Sequence, residues 1–370
     1  MKRKIMVILV MILCFSLIAA GCGGGVMNDP GESGGGEKEV HHWKVQGYTA
    51  AGTTFDDYGK HLSELIETMS DGRIQIDWYP SDSVVAGFDV PNAVRDGILN
   101  AEYGYSGLWT SLEYGAPLFC STPGDFYDPF DVLYWLEEGG GYELWNEMLE
   151  PYGVTVRAGG ILDAENFLWT NEPITSIDVL KSMKLRMMPL MGEVLADNGC
   201  SVVFLPGSEV VSSMERKVID AGEFSTPALD ETFGFQDVAK YYHKPGFHQP
   251  TSVQEFVIND DSWNALSPDL QAIVNAACKE NVLWTWMQNG IRNQEAMERF
   301  DAMGAELVIM PPEVVDTLQE WTNVWFDKMM EEDPFIAKVR KSQMDFMKSW
   351  VPYKTDMEIP YADWNFELAD

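Results

Sequence analysis

Short β-like runs alternate with helical runs from His42 to Phe224, and this alternation constrains the fold more than any other feature of the chain. Residues 55–69 carry apolar side chains at helical spacing and end at Asp71-Gly72, and residues 73–79 then alternate as a strand. Such alternation is typical of α/β architecture. Roughly 330 residues follow position 39, which is too many for one ordinary core, so we predict two α/β lobes.

The pattern becomes helical after His248. Ser267-Pro268-Asp269 predicts a helix start, with Ser at the N-cap, Pro at the first helical position and an acid in the first turn. Helical spacing continues to about residue 297 and returns at 312–330 and 334–350. We therefore expect C-terminal helices that wrap both lobes.

Two segments of the chain share one pattern. Residues 97–103 and 217–223 each close a helix, turn on Asn100 or Asp220 followed by Ala, and enter a strand. The repetition predicts similar substructures in the two lobes, each delivering a strand end to a shared cleft. Ligands of open α/β sheets bind beyond the carboxyl ends of strands, so 103–105 and 223–225 are candidate cleft residues.

The N-terminus predicts export. A basic cluster at residues 2–4 precedes an apolar run at 5–20, and small residues lead directly into Cys22. The run is shorter than the ~20 residues that a spanning helix needs, so we interpret 1–21 as a signal peptide and Cys22 as a lipidation site, with an uncleaved anchor as the alternative. Residues 22–39 are Gly-rich and predict a flexible tether.

The formal charge of −33 argues against nucleic acid as a partner, because so acidic a surface repels phosphate. An anionic ligand must therefore be held by a local positive group in a cleft. Beyond Cys22, Cys120, Cys200 and Cys278 are an odd set without a CxxC motif. Buried free thiols are favoured, although the sequence leaves any pairing among them open.

Motifs typical of enzymes are absent from the sequence. We find no GxSxG, P-loop, GxGxxG or HExxH, and the five histidines show no metal-binding spacing. Binding is therefore favoured over catalysis, without an organic cofactor.

Several polar residues are candidates for a binding site. Arg186 stands among apolar strand residues, where a buried guanidinium needs an anion such as the carboxylate of a small organic acid. A surface arginine or an internal salt bridge is the alternative. Glu223 follows a predicted strand, and Asn166 and Gln249 offer amide groups. The aromatic candidates are Phe88, Tyr103, Tyr105 and Trp169.

Beyond these single residues, the chain resembles the extracytoplasmic solute-binding proteins of tripartite ATP-independent periplasmic (TRAP) transporters. The resemblance is carried by the segments 180–186 (LKSMKLR), 192–196 (GEVLA), 205–209 (LPGSE), 218–224 (VIDAGEF), 238–242 (VAKYY), 247–250 (FHQP) and 267–271 (SPDLQ), and by 54–68 followed by 71–73 (DGR). It covers nearly all of the body in order, and it is strongest for the branch that binds 2-oxo or 2-hydroxy monocarboxylates.

The resemblance implies roles for individual residues. Arg186 stands where the family clamps a carboxylate, and Glu223, the carbonyl of Phe224 and Gln249 stand where this branch holds a cation, which could be Na⁺ or Ca²⁺. The other implied ligand contacts are Asn166 (with Glu165 or Leu162 as alternatives) and Phe88, Tyr103 and Tyr105 from the opposite lobe; Trp169 is predicted as a ligand contact from its aromatic side chain alone. Phe224 replaces the commoner Trp, and Gln249 replaces a frequent acid, which removes one negative charge from the cation site.

The resemblance also implies a fold and partners. We expect a periplasmic binding protein type II-like fold, with residues 40–163 as lobe I (completed by about 251–300), 164–250 as lobe II and 301–370 as C-terminal helices. The implied partners are a small organic acid, the membrane subunits of a TRAP transporter, the outer face of the cytoplasmic membrane through the lipid anchor, and a second copy of the chain in a homodimer. Two alternatives stay open: an exported enzyme in which Glu223 is a general base and Arg186 orients a carboxylate, and a ligand sensor with the same fold.

Overall fold

A computed structural model describes residues 39–357 of the chain. The predicted signal peptide, Cys22, most of the tether and residues 358–370 lie outside the described residues. The strands are β1 (His41–Gly47), β2 (Ile74–Tyr79), β3 (Ala101–Gly104), β4 (Val154–Leu162), β5 (Trp169–Thr170), β6 (Lys184–Arg186), β7 (Ser201–Val203), β8 (Ala221–Gly222), β9 (Tyr241–Lys244), β10 (Ser252–Asn259) and β11 (Glu306–Ile309).

Helices alternate with these strands and then dominate the C-terminal third. They are α1 (Thr54–Met69), α2 (Val90–Arg95), α3 (Pro129–Glu138), α4 (Gly141–Leu149), α5 (Ile177–Ser182), α6 (Pro189–Asp197), α7 (Gly207–Glu215), α8 (Pro227–Phe233), α9 (Phe235–Val238), α10 (Asp260–Asn264), α11 (Pro268–Met303), α12 (Pro312–Glu332) and α13 (Pro334–Met357). Short 3₁₀ turns lie at Gly87–Asp89, Ser106–Trp109, Ala116–Phe119 and Glu150–Tyr152.

Two sheets form the centres of two lobes. The first has the order β2-β1-β3-β10-β4, in which β1 runs parallel to β2 and β3 while β10 is antiparallel to both of its neighbours. The second has the order β11-β9-β5-β8-β6-β7. The predicted α/β fold with two lobes is therefore confirmed.

The helix α11 connects the two lobes through polar side chains spaced four residues apart. Asn281 Nδ2 donates to the carbonyl of Gly159 in β4 at 2.6 Å, whereas Asn289 Nδ2 donates to Thr226 Oγ1 in the other lobe at 3.2 Å. Thr285, whose Oγ1 accepts from the amide of Ile161 at 3.0 Å, lies midway between them, and this spacing by four places the three side chains along one helix face. Since both amides are buried, α11 is a polar seam against which both lobes pack.

The repeated pattern of 97–103 and 217–223 is confirmed in detail. Asn100 Oδ1 accepts from the amide of Lys44 at 2.8 Å, and Asp220 Oδ2 accepts from the amide of Lys184 at 2.9 Å. In each lobe the Asn or Asp side chain thus joins its own strand, β3 or β8, to the neighbouring parallel strand, β1 or β6.

Other local predictions differ from the structure. Residues 301–370 were expected to be helical, but β11 within them pairs in parallel with β9 and forms an edge of the second sheet. Ser267 does precede α11, but its hydroxyl donates to Asp269 Oδ1 at 2.6 Å instead of capping the helix.

Two further expectations concern the cysteines and the membrane. Cys120, Cys200 and Cys278 are free and buried, as predicted for core thiols. Within residues 39–357, no helix combines the length and apolar character that crossing a membrane requires.

Candidate functional site

A cleft of about 320 Å³ is lined by residues of both lobes. The lobe of the first sheet contributes Tyr48, Phe55, Phe88, Tyr105 and Leu108, and the lobe of the second sheet contributes Arg186, Met188, Phe204, Phe224 and Phe233. Glu165 and Gln249, which lie close to the crossings between the lobes, complete the polar part of the wall. The cleft therefore combines an aromatic lining with a few convergent polar groups, as small-molecule sites commonly do.

The strand register brings Arg186 and Glu223 together. β6 and β8 run parallel with Leu185 opposite Ala221, so the two strands end side by side at this edge of the sheet. Arg186 Nη1 donates to Glu223 Oε1 at 2.6 Å and to the Glu223 carbonyl at 2.8 Å. Its Nε donates to the carbonyl of Leu205 at 3.1 Å, and within residues 39–357 the one hydrogen-bond partner of its Nη2 is the thioether of Met188, at 3.5 Å. Nη2 therefore keeps donor capacity for an anion in the cleft.

Three buried side chains form a cluster beside this ion pair: Glu165, Glu223 and His248. His248 Nε2 lies 3.3 Å from Glu165 Oε2 and 3.8 Å from Glu223 Oε2. Within the described part of the chain, neither of these carboxylate oxygens and neither nitrogen of His248 makes a hydrogen bond. Buried polar atoms normally have partners, so this cluster points to a bound group.

Burial opposes charge in this cluster, and a bound cation would favour the charged form of Glu165. Burial and the neighbouring Glu223 carboxylate raise the pKa of Glu165 well above its usual range. Burial lowers the pKa of His248 to about 4, so the imidazole is neutral near pH 7 and cannot compensate the two acids. Lys244 holds the backbone here, since its Nζ donates to the carbonyls of Ala164 and Glu165 at 2.8 and 2.9 Å.

The donor set fits a hard cation. Carboxylate oxygens are ligands that Na⁺ and Ca²⁺ prefer, and one carboxylate oxygen each of Glu165 and Glu223 lies with a ring nitrogen of His248 within 4.8 Å of one another. Glu165 Oε1 is held in place by Gln249 Nε2 at 2.9 Å and Ser225 Oγ at 3.2 Å. When a cation is bound, these two carboxylates would hold it and it would offer a positive centre to an anionic ligand.

Gln249 carries no negative charge, but the acid Glu165 lies directly beside it. Glu165 Oε1 accepts from the Gln249 side chain, and the amide of Glu165 donates to the Gln249 carbonyl at 3.1 Å. The pair thus has one acid, Glu165, and one amide, Gln249. From the sequence, Glu165 is predicted only as an alternative to Asn166, and His248 is not predicted as a ligand because the five histidines show no metal-binding spacing.

The predicted site residues divide into two groups. Arg186, Phe88, Tyr105, Phe224 and Gln249 line the cleft, and Glu223 lies directly behind Arg186. Phe88 is 61% exposed at the mouth of the cleft.

The second group, Tyr103, Asn166 and Trp169, does not line the cleft in the described structure, in contrast to the prediction that these residues contact a ligand. Asn166 Nδ2 and Trp169 Nε1 both donate to Asp230 Oδ2 at 2.7 Å, and both residues are fully buried. Tyr103 packs edge-on against Trp78 in the core of the first lobe. Strands that are covered on both faces bury aromatic side chains in the core. In the sequence, such a core aromatic cannot be distinguished from an aromatic residue that lines a cleft.

Comparisons with known proteins identify the family of the chain. The chain matches the family described as bacterial extracellular solute-binding protein, family 7, over residues 46–333. It is 27% identical over 303 residues to the monocarboxylate 2-oxoacid-binding periplasmic protein of a Nostoc species, covering 82% of this chain and 83% of that protein.

The chain is also similar in structure to solved TRAP periplasmic solute-binding proteins. A TRAP periplasmic solute-binding protein from Colwellia psychrerythraea, with bound calcium and pyruvate, superposes with a TM-score of 0.84 at 25% identity, covering 89% of this chain and all of that one. A second, from Pseudoalteromonas atlantica with bound sodium and pyruvate, has a TM-score of 0.83 at 24% identity and covers 89% of this chain and 100% of its own.

Proposed function

The chain belongs to family 7 of the bacterial extracellular solute-binding proteins, and from that premise we propose that it captures a small 2-oxo or 2-hydroxy monocarboxylate with a bound Na⁺ or Ca²⁺ for delivery to a TRAP transporter. The relatives that bind pyruvate with sodium or calcium support this ligand class. So does the Nostoc 2-oxoacid-binding protein.

One observation carries the proposal. Arg186 and the paired acids Glu165 and Glu223 present opposite charges to one buried site, and each has unused hydrogen-bonding or coordinating capacity. A cation satisfies the two carboxylates, and a carboxylate ligand satisfies Arg186. A 2-oxo or 2-hydroxy acid can do both at once, because its second oxygen lies next to the carboxylate.

We assign residues 40–163, completed by about 251–300, to lobe I and residues 164–250 to lobe II, with 301–370 following both. The membership of the strands in the two sheets supports this division, apart from β11, which joins the second sheet. Closure of the lobes would remove water from the site and strengthen the contact between Arg186 and the ligand.

We further propose that the protein is a lipoprotein on the outer face of the cytoplasmic membrane and that its ligand is returned unchanged. The signal-like sequence before Cys22 supports the anchor. Labelling with a fatty-acid analogue should modify the native protein and not Cys22→Ser, and only the native protein should sediment with membranes. Equal labelling of the two proteins would reject the anchor.

The bound ligand can be identified without choosing candidate compounds beforehand. The protein is purified, denatured, and the released molecules are identified by mass spectrometry, with metals measured in parallel on the same sample. We expect a monocarboxylate and a stoichiometric amount of calcium, or a monocarboxylate whose retention requires sodium. Release of a sugar or an amide, without a carboxylate, would contradict the proposal.

A further inference from the structure

A second, smaller cavity adjoins the cleft, and we call it the apolar chamber. Its volume is about 50 Å³. The apolar part of its wall consists of Leu118, Leu190, Met191, Trp325, Phe326 and Ile336. These residues come from the first lobe, from the start of α6 and from the C-terminal helices α12 and α13, so the chamber lies where the lobes meet the wrapping helices.

The chamber opens beside the polar anchors of the site. Tyr105, Met188 and Gln249 line both the chamber and the cleft. The amide of Met188 donates to Glu223 Oε1 at 2.8 Å, and its thioether lies 3.5 Å from Arg186 Nη2. A ligand held at Arg186 and at the paired acids is therefore adjacent to the mouth of the chamber.

The wall of the chamber favours an apolar occupant. Among the described residues that line it there is no Asp, Glu, Lys or Arg, and most of the lining side chains are apolar. The hydrogen-bonding side chains on this wall include those of Tyr105, Thr110, Tyr114, Ser121, His248 and Gln249, and the described lining includes no Lys or Arg. A second carboxylate of a ligand would therefore lack the charged partner that it needs.

The size of the chamber limits that occupant. One water-sized group needs at least about 10–15 Å³ of such space, so the chamber holds about three or four groups of that size. That corresponds to a short alkyl chain, whereas the single methyl group of pyruvate would leave most of the chamber unfilled.

We propose that the apolar chamber receives the side chain of the ligand, which makes the preferred ligand a 2-oxo or 2-hydroxy monocarboxylate with a straight or branched alkyl side chain of about three or four carbons. This assignment rests on the proposed function and narrows its ligand class. It makes Ser121 and Ile336 residues that determine specificity, although neither belongs to the charged part of the site.

The test compares three acids by titration calorimetry with the native protein in saturating calcium and sodium: pyruvate, 4-methyl-2-oxopentanoate and 2-oxooctanoate. Burying three additional carbons should make 4-methyl-2-oxopentanoate bind about 50-fold more tightly than pyruvate. The side chain of 2-oxooctanoate exceeds the chamber, so it should gain nothing further. Affinity that keeps rising with chain length would overturn the assignment, because the open cleft would then hold the side chain.

A matched pair of variants locates the effect. Ser121→Leu fills the chamber and should reduce the preference for 4-methyl-2-oxopentanoate to within about threefold of pyruvate, because the added side chain occupies the volume of those carbons. Ser349→Leu makes the same substitution at an exposed position of α13, outside the lining of the chamber and the cleft, and should keep the preference. A preference unchanged in Ser121→Leu would overturn the assignment.

The outcomes separate the two levels of the proposal. If pyruvate binds as tightly as the longer acids to the native protein, the chamber assignment fails while the proposed function stands. If none of the three acids binds, the proposed function itself fails. The native protein alone decides the first question, so the result does not depend on whether Ser121→Leu folds.

Discussion

Arg186 Nη1 lies 2.6 Å from Glu223 Oε1, while the other oxygen of the same carboxylate, Glu223 Oε2, faces His248 and Glu165 without a hydrogen bond among the described residues. Glu223 therefore belongs to two sites at once: it orients the guanidinium for an anion and offers a ligand atom to a cation. This sharing predicts that the anion and the cation bind cooperatively, since each completes the surroundings of Glu223 for the other.

Replacing Arg186 by Lys should weaken carboxylate binding by about 10- to 100-fold, because an ammonium cannot reproduce the planar fork that donates to Glu223, Leu205 and the ligand together. Lysine keeps a positive charge next to the buried Glu223. Thermal unfolding should therefore show a folded variant, and titration calorimetry measures the loss. An unchanged affinity would mean that Arg186 is structural.

Moving the acid between positions 165 and 249 should remove and then restore the dependence on the cation. Glu165→Gln leaves one carboxylate at the site and should weaken calcium binding by at least about tenfold. The double variant Glu165→Gln/Gln249→Glu returns the carboxylate to the other side of the same hydrogen-bonded pair and should recover most of that loss. Calcium titrations of the three proteins provide the comparison, and a double variant as weak as the single one would show that position 165 has a role beyond its charge.

The pair Glu102 and Glu255 should make stability depend on pH. Both are fully buried; burial raises the pKa of Glu102 from 4.5 to about 8, and burial with the adjacent Glu102 raises that of Glu255 well above its usual range. The folded state then binds more protons than the unfolded state between pH 4.5 and about 8, so the free energy of unfolding falls as pH rises through that window. The slope reaches at most about 1.4 kcal/mol per pH unit for each proton involved.

Glu102→Gln should flatten that dependence, because a glutamine keeps the oxygen that accepts from Trp109 Nε1 and has no proton to lose. Urea unfolding at several pH values between 5 and 8 measures the slope. Glu64→Gln, on the exposed face of α1, is the matched control and should keep the native slope. The same steep slope in Glu102→Gln would locate the responsible groups elsewhere.

Trp169→Phe should lower stability by about 1–3 kcal/mol and leave ligand affinity within about twofold of native. The indole donates to the buried Asp230 and stacks on Tyr242 in the core, so its loss leaves a buried carboxylate oxygen with one donor fewer. Chemical denaturation and calorimetry on one preparation test both parts. A large loss of affinity at native stability would return Trp169 to the ligand site.

The features that could be predicted from the sequence are those that a short stretch of residues determines. The turn at Asn100 and its equivalent at Asp220 could be predicted, because the same short sequence makes the same side-chain bond to a parallel neighbouring strand in each lobe. The position of Arg186 at a strand end in the cleft is also a local property, and the resemblance to a known family supplied its role.

The remaining features depend on contacts between distant segments. Glu165 and His248 lie in contact because the chain crosses between the lobes near both residues. Their spacing in the sequence does not predict this contact. Trp169 is of a residue type that often contacts ligands, yet its contacts with Asp230 and Tyr242 place it in the core. The strand β11 forms because β9 offers it an edge, a tertiary effect that a short apolar run among helices does not reveal.

The central claim is that anion and cation share one site through Glu223, and titration calorimetry of a 2-oxo monocarboxylate tests it most directly. The protein is freed of bound ligand and metal, and the acid is titrated in chelator with a sodium-free buffer, and then with added calcium or sodium. We predict binding at least about tenfold tighter with one of the cations, as coupling through a shared carboxylate requires. Equal affinity with and without cation, or no binding of any 2-oxo or 2-hydroxy acid, would contradict the account.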